Sequence, residues 1–206
     1  VKMNIKKSTY HHGNLREVLI ASALDILKEG TLQDLSLRAL ARKAGVSQTA
    51  PYRHFEDKEA LIVVLIQEGS ALLHESMQLA CEIDNDPVEQ MINMGLAYYD
   101  FSQDHPAHFR LMFGGNLENK DKYTSLIATE QQNYELVQSV VDRCMKLPGA
   151  PKLSSEMVRL SCWSLVHGLA NLILNEVLND DVPKDAEKRT VVREVISFYT
   201  RSLFEK

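Results

Sequence analysis

The sequence predicts an all-α chain of about nine helices, and three observations carry that reading. Pro and Gly are sparse, 6 and 9 among 206 residues, so few positions force a turn. No segment alternates Val, Ile and Thr with polar residues as a half-buried strand does, whereas apolar residues recur at i, i+3, i+4 and i+7 along most of the length. Starts and stops are marked by Asp, Ser and Asn caps, by Pro at first helical positions and by Gly at ends. A hydrophobic content of 45% is ordinary for a globular chain and excludes disordered and collagen-like classes.

Taken in order, the first helix is expected over 15–29, with Asn14 as cap, Glu17 three residues on, Leu15, Leu19, Ala23 and Ile26 as apolar stripe, and Gly30 as terminator. A second follows Ser36, with Leu37, Leu40, Ala41 and Ala44 on one face. Gly45 supplies a tight turn, and Ser47 is placed to cap a third helix that packs Val46, Ala50 and Phe55 backward and carries Gln48, Thr49, Tyr52, Arg53 and His54 outward. The fourth begins after Asp57 and continues to Ile83, long enough to connect two domains. Asp86-Pro87-Val88-Glu89 opens the fifth with a cap, an N1 proline and the Glu of a capping box. A short helix follows His105-Pro106 and ends at Gly114-Gly115. The last three are expected over 123–146, 155–178 and 186–204.

Helices two and three, joined by a short glycine turn, make a helix-turn-helix, whose second helix enters a DNA major groove N-terminus first. Charge agrees. The chain carries a net −5, but residues 1–58 hold ten Lys and Arg against six Asp and Glu, leaving −9 on the remainder. A basic head on an acidic body is what results when one end alone meets phosphate. The boundary suggested is residues 1–58 for a DNA-binding domain, including a basic arm with Lys2, Lys6, Lys7, His11 and His12, and 59–206 for a helical regulatory and dimerisation domain.

The stretch from Leu15 to Lys58, most sharply GVSQTAPYRHFEDKEAL, resembles the N-terminal DNA-binding domain of the TetR family of bacterial transcriptional regulators. YHHGNLRE upstream and WSLVHGLANL downstream resemble a subgroup whose regulatory domain carries a Trp and a His-Gly pair. The resemblance implies DNA-binding roles for Ser36, Arg38, Ser47, Gln48, Thr49, Tyr52, Arg53, His54 and Lys58. Gln48 and Thr49 stand nearest base edges, where Gln pairs with adenine and Thr meets a thymine methyl; Ser36, Arg38, Tyr52, His54 and Lys58 position the head on the backbone, and Arg53 is a further candidate for readout. For Arg53 a solvated side chain or a pair with Glu56 is an equal alternative. The sequence departs from the family pattern at Pro51, whose missing N–H falls where a helix begins to need it.

In the body, the helix expected over 155–178 is apolar around most of its circumference, with a stripe of small and amide residues, Ser161, Ser164, Gly168, Asn171 and Asn175, between its faces. The resemblance implies that this helix and the one at 186–204 form a four-helix bundle with a second copy. It also implies a small-molecule effector site among the aromatic and Met residues of the middle helices, for which Tyr98, Phe101, Phe109, Met112, Trp163 and His167 are the candidates; an ordinary packed core is the alternative by composition.

An enzyme is the rival class. His105-x-x-His108, Glu130 and His167 are present without a nucleophile elbow, phosphate loop, His-Glu-x-x-His or cysteine pair beside them, so no catalytic residue, metal or cofactor is expected. A DNA-binding protein without a ligand is the other alternative, distinguished by a body without a cavity. Cys81, Cys144 and Cys162 lie far apart and are expected as buried thiols. No continuous apolar run reaches the ~20 residues of a membrane span and no signal-peptide core is present, so a cytoplasmic location is expected.

Overall fold

A computed structural model describes residues 15–114, 117, 122–178 and 187–205. Among the described residues it contains eight α-helices, one 3-10 turn and no strand: α1 (Leu15–Glu29), α2 (Leu37–Lys43), the turn Pro51–Arg53, α3 (Lys58–Cys81), α4 (Pro87–Asp104), α5 (Pro106–Phe113), α6 (Thr124–Cys144), α7 (Ser155–Leu174) and α8 (Lys188–Phe204). The chain is all-α as its periodicity predicts, with one helix fewer than expected. The expected cap Asn14 and the arm with Lys2, Lys6, Lys7, His11 and His12 lie outside the described residues, as do 179–186.

The missing helix is the third. From Ser47 to Phe55 the backbone bonds mostly step back three residues: Ala50 N–H donates to Ser47 O, Arg53 N–H to Ala50 O and His54 N–H to Pro51 O, at 2.9 to 3.2 Å. Pro51 has no N–H to give to Ser47 O, so the four-residue ladder cannot start there. Ser47 makes no backbone cap; its hydroxyl shares a hydrogen bond with that of Thr49 at 3.3 Å.

Other boundaries differ for local reasons. In α4 the Asp86 side chain accepts from Val88 N–H at 2.8 Å as expected, but Glu89 does not complete a capping box. Its carboxylate pairs instead with Arg201 of α8. Helix α7 stops four residues early, because Glu176 takes a left-handed φ of 59°. Glu176 N–H then donates to Ile173 O at 3.0 Å and Val177 N–H to Leu172 O at 2.8 Å, closing a Schellman motif on a residue whose sequence gives no sign of it.

The chain forms two compact units that divide between Ile62 and Val63. In the first, Leu19, Ala23 and Leu27 of α1 and Leu37, Leu40 and Ala41 of α2 are buried with Leu35, Pro51, Phe55 and Leu61. Lys43 Nζ ties the end of α2 to Glu29 at the end of α1 at 2.8 Å, and Arg16 lies over the Phe55 ring. In the second unit α4 is the central helix, packed on α5, α6, α7 and α8. Arg189 clasps Asp100 through two nitrogens at 2.8 and 2.9 Å, while Arg201 reaches Glu89, so α4 and α8 run antiparallel with an ion pair at each end. A Cβ on Gly95 would come within 3.2 Å of Ile196, which marks how closely these helices approach.

Only Cys144 is buried; Cys81 and Cys162 are half-buried. Burial pushes the Cys144 thiol up to about 12 and the Cys162 thiol up to about 11, so both are protonated near pH 7. Helices α3 and α7 are long and apolar enough to cross a bilayer by length and composition, although neither is a continuous apolar run. Half of the α3 window is buried within the protein, but only 22% of the α7 window is.

Candidate DNA-reading surface and ligand cavity

In the first unit the reading element is set by its two anchors. Pro51 and Phe55, four apart, are buried, and this turns Gln48, Thr49, Tyr52, Arg53 and His54 to solvent, with Tyr52 53% exposed. Gly45 makes the turn that precedes it with φ +67°, the left-handed region that glycine enters without steric cost. Ser36 caps α2, its Oγ accepting from Ala39 N–H at 3.1 Å, and leaves Arg38 exposed in the first turn. Lys58 Nζ donates to Leu32 O, which holds the start of α3 to the segment between α1 and α2. All nine predicted positions thus lie in the first unit, eight of them exposed and Lys58 half-buried.

The second unit holds a cavity of about 260 Å³ bounded by α3, α4, α5, α6 and α7. Tyr98, Met112 and Trp163 line it, as do Leu73, Met77 and Phe113. Phe109 and His167 stand behind this wall: Phe109 meets the Tyr98 ring edge-on at 5.7 Å, and His167 Nδ1 lies 2.7 Å from the Tyr98 hydroxyl. Phe101 is buried on another side of α4, against His105. Burial pushes the Tyr98 phenol far up and lowers His167, so both are neutral near pH 7. A smaller cavity of about 60 Å³ lies toward α8, lined by Ile196, Tyr199 and Thr200, and shares Met77, Tyr98, Val137 and Trp163 with the larger one.

Residues 19–65 match the family described as bacterial regulatory proteins, tetR family, and residues 91–196, half of the chain, match the tetracyclin repressor-like C-terminal domain. The chain belongs to the TetR family. It is therefore a transcriptional regulator of a DNA-binding, ligand-binding family. Solved structures of similar fold include a protein of unknown function from Rhodococcus sp. RHA1, 27% identical over 97% of this chain and 100% of that one, with a TM-score of 0.78. FadR from Bacillus subtilis, solved in complex with stearoyl-CoA, is 12% identical over 89% of this chain and 96% of its own, with a TM-score of 0.70. The ketosteroid regulator KstR2 of Mycobacterium tuberculosis is 14% identical over 95% and 98%, with a TM-score of 0.69.

Three of the six candidates, Tyr98, Met112 and Trp163, border this TetR chain's cavity, and most of its polar groups are not among them. Ser70, Asn133 and Arg159 line it. The sequence does mark two of them: Ser70 interrupts the stripe Ile66, Leu73, Met77 on α3, and Asn133 interrupts Leu126, Val137, Val140 on α6. A polar residue on an otherwise apolar helical face needs a partner, and here the two partner each other, Asn133 Nδ2 donating to Ser70 Oγ at 2.8 Å. Arg159, in the second turn of α7, has no such mark.

Proposed function

We propose that this TetR regulator binds a pseudo-palindromic operator as a homodimer, represses from it, and is released by a small, mostly apolar effector. Residues 1–58 are the reading domain in this proposal and 59–206 the regulatory and dimerisation domain. The observation that carries it is the anchoring of Pro51 and Phe55, which leaves Gln48, Thr49, Tyr52, Arg53 and His54 as a contiguous solvent-facing set of base- and phosphate-competent side chains. Gln48 and Thr49 read bases; Ser36, Arg38, Ser47, Tyr52, Arg53, His54 and Lys58 hold the backbone. The arrangement needs no cofactor or metal and has no catalytic role, and the protein acts in the cytoplasm.

Dimerisation through α7 and α8 is supported by the apolar surface they expose: Met157 (54%), Leu160, Trp163 and Leu172 on α7 and Phe198 (78%) on α8. Large apolar side chains left exposed on both helices are what a helical interface would cover. The cavity supports an effector site against a ligand-free DNA-binding protein, and regulators of similar fold solved with stearoyl-CoA or named for ketosteroids support an apolar ligand. Selection of bound genomic fragments followed by footprinting tests the whole. Footprints are expected with dyad symmetry and half-sites about one DNA turn apart, roughly 34–36 Å, or a multiple. Gln48→Ala and Thr49→Ala should each cost about 1–3 kcal/mol against the preferred site and flatten base preference at one position. Asymmetric footprints with one chain per site would refute the dimeric operator.

A further inference from the structure

Most polar groups on the wall of the larger cavity are already satisfied by the protein. The Asn133 amide donates to Ser70 O and Oγ at 3.0 and 2.8 Å, and its Oδ1 meets His74 Nδ1 at 3.1 Å. Glu130 is engaged as well. Two donors are different.

The first belongs to Arg159. Its guanidinium lies over the Tyr134 ring, 4.2 Å from the centroid, and its Nε is buried with no hydrogen-bond acceptor among the described residues. Glu156, one turn earlier on α7, acts on it only through space and is fully exposed. The second donor emerges from the tautomer of His167. Asn171 Nδ2 lies 2.9 Å from both the His167 carbonyl oxygen and His167 Nε2. A carbonyl only accepts, so this atom is the amide nitrogen, and its second hydrogen makes Nε2 an acceptor. The neutral ring then carries its proton on Nδ1 and donates it to the Tyr98 oxygen at 2.7 Å. With its oxygen accepting, Tyr98 has a hydroxyl hydrogen left over, without an acceptor among the described residues.

Two donors without an acceptor, one of them on a cationic side chain, belong to residues that line one largely apolar cavity, and they call for an acceptor that the protein does not supply. We infer that the cavity takes a small apolar carboxylate, whose oxygens accept from the Arg159 guanidinium and the Tyr98 hydroxyl while its hydrocarbon or aryl body lies among Leu73, Met77, Met112 and Trp163. A guanidinium fork matches a carboxylate in shape as well as charge, and the pair is stronger than one with a neutral carbonyl. Size narrows the ligand further. An apolar cavity of roughly 150 Å³ accommodates benzene, so on that scale 260 Å³ corresponds to about ten non-hydrogen atoms. Octanoate and 3-phenylpropanoate are of this size.

The inference rests on the reading of the second unit as an effector sensor, and one set of titrations separates the two. Trp163 is the only Trp, so its emission reports the cavity of the full chain. Octanoate and 3-phenylpropanoate are titrated beside 1-octanol and 3-phenylpropan-1-ol. The acids are expected to bind saturably and roughly tenfold or more tightly than the alcohols. Arg159→Gln should abolish that preference while leaving the alcohols unchanged, and Tyr98→Phe should weaken the acids several-fold. Circular dichroism checks that each variant is folded, and Tyr98→Phe carries the comparison if the Gln variant is not. Equal affinity for acid and alcohol, a preference that survives both substitutions, or no saturable binding of either acid overturns the carboxylate site. Repeating the titrations on operator-bound protein tests the other reading: an acid that fills the cavity without loosening DNA leaves the site standing and removes its effector role.

Discussion

At Gly45 the backbone sits at φ +67°, and a Cβ added there would meet nothing within 4 Å. The cost of a side chain at this position is therefore conformational alone, with no packing contribution to confuse it. Gly45→Ala is expected to lower the unfolding free energy of the reading domain by about 1–2 kcal/mol, the penalty for an L-residue in the left-handed region, as measured by chemical denaturation. Pro51 is the counterpart. It is legible in the sequence as a local exception, but its consequence depends on burial: Pro51 is buried, as Phe55 is, and the segment before it is held by three-residue bonds rather than by an α-helix. The residues around it keep the outward directions that helical periodicity assigns them, because Pro51 and Phe55 fix the inner side whichever ladder the backbone uses.

Among the elements, those whose ends carry a cap or a Pro were readable to within a residue or two. Asp86-Pro87 opens α4, Ser36 opens α2 and Gly114 ends α5 where the sequence puts them. The end of α7 was not readable, since a left-handed Glu176 is selected by the Schellman bonds it closes and not by its own preference. The cavity was legible only in part for a similar reason. Aromatic residues report that a helix face is buried, but not whether a side chain borders an open space or backs the residue that does, as Phe109 and His167 back Tyr98. The Tyr98–His167 bond links α4 to α7, and its tautomer requires a neutral imidazole. Burial lowers the folded-state His167 value below the ordinary ~6.5, so in the window beneath 6.5 the unfolded chain binds the extra proton first and stability falls as pH falls. Comparing thermal midpoints at pH 7.5 and 5.5, His167→Gln is expected to lose less on acidification than the parent chain; an equal loss would place the sensitivity elsewhere.

For the molecule as a whole, the exposed face of α7 sets the terms. A twenty-residue helix with most of its apolar window unburied in one chain fits the proposed pairing with a second copy, and Phe198 on α8 belongs to the same exposed apolar set. Phe198→Asp is expected to shift the equilibrium toward monomer by roughly tenfold or more in sedimentation velocity, and to weaken operator binding in proportion, because paired reading heads bind far better than single ones. Unchanged sedimentation would move the interface off α8. The partition between the two cavities has a consequence of its own. Met77, Tyr98, Val137 and Trp163 belong to both walls, so the same four residues, one from each of α3, α4, α6 and α7, border both chambers. Trimming one of these residues, as in Met77→Ala, is expected to extend the larger chamber toward α8 and admit a longer ligand, so that a change of the proposed effector would need a point substitution instead of a new fold.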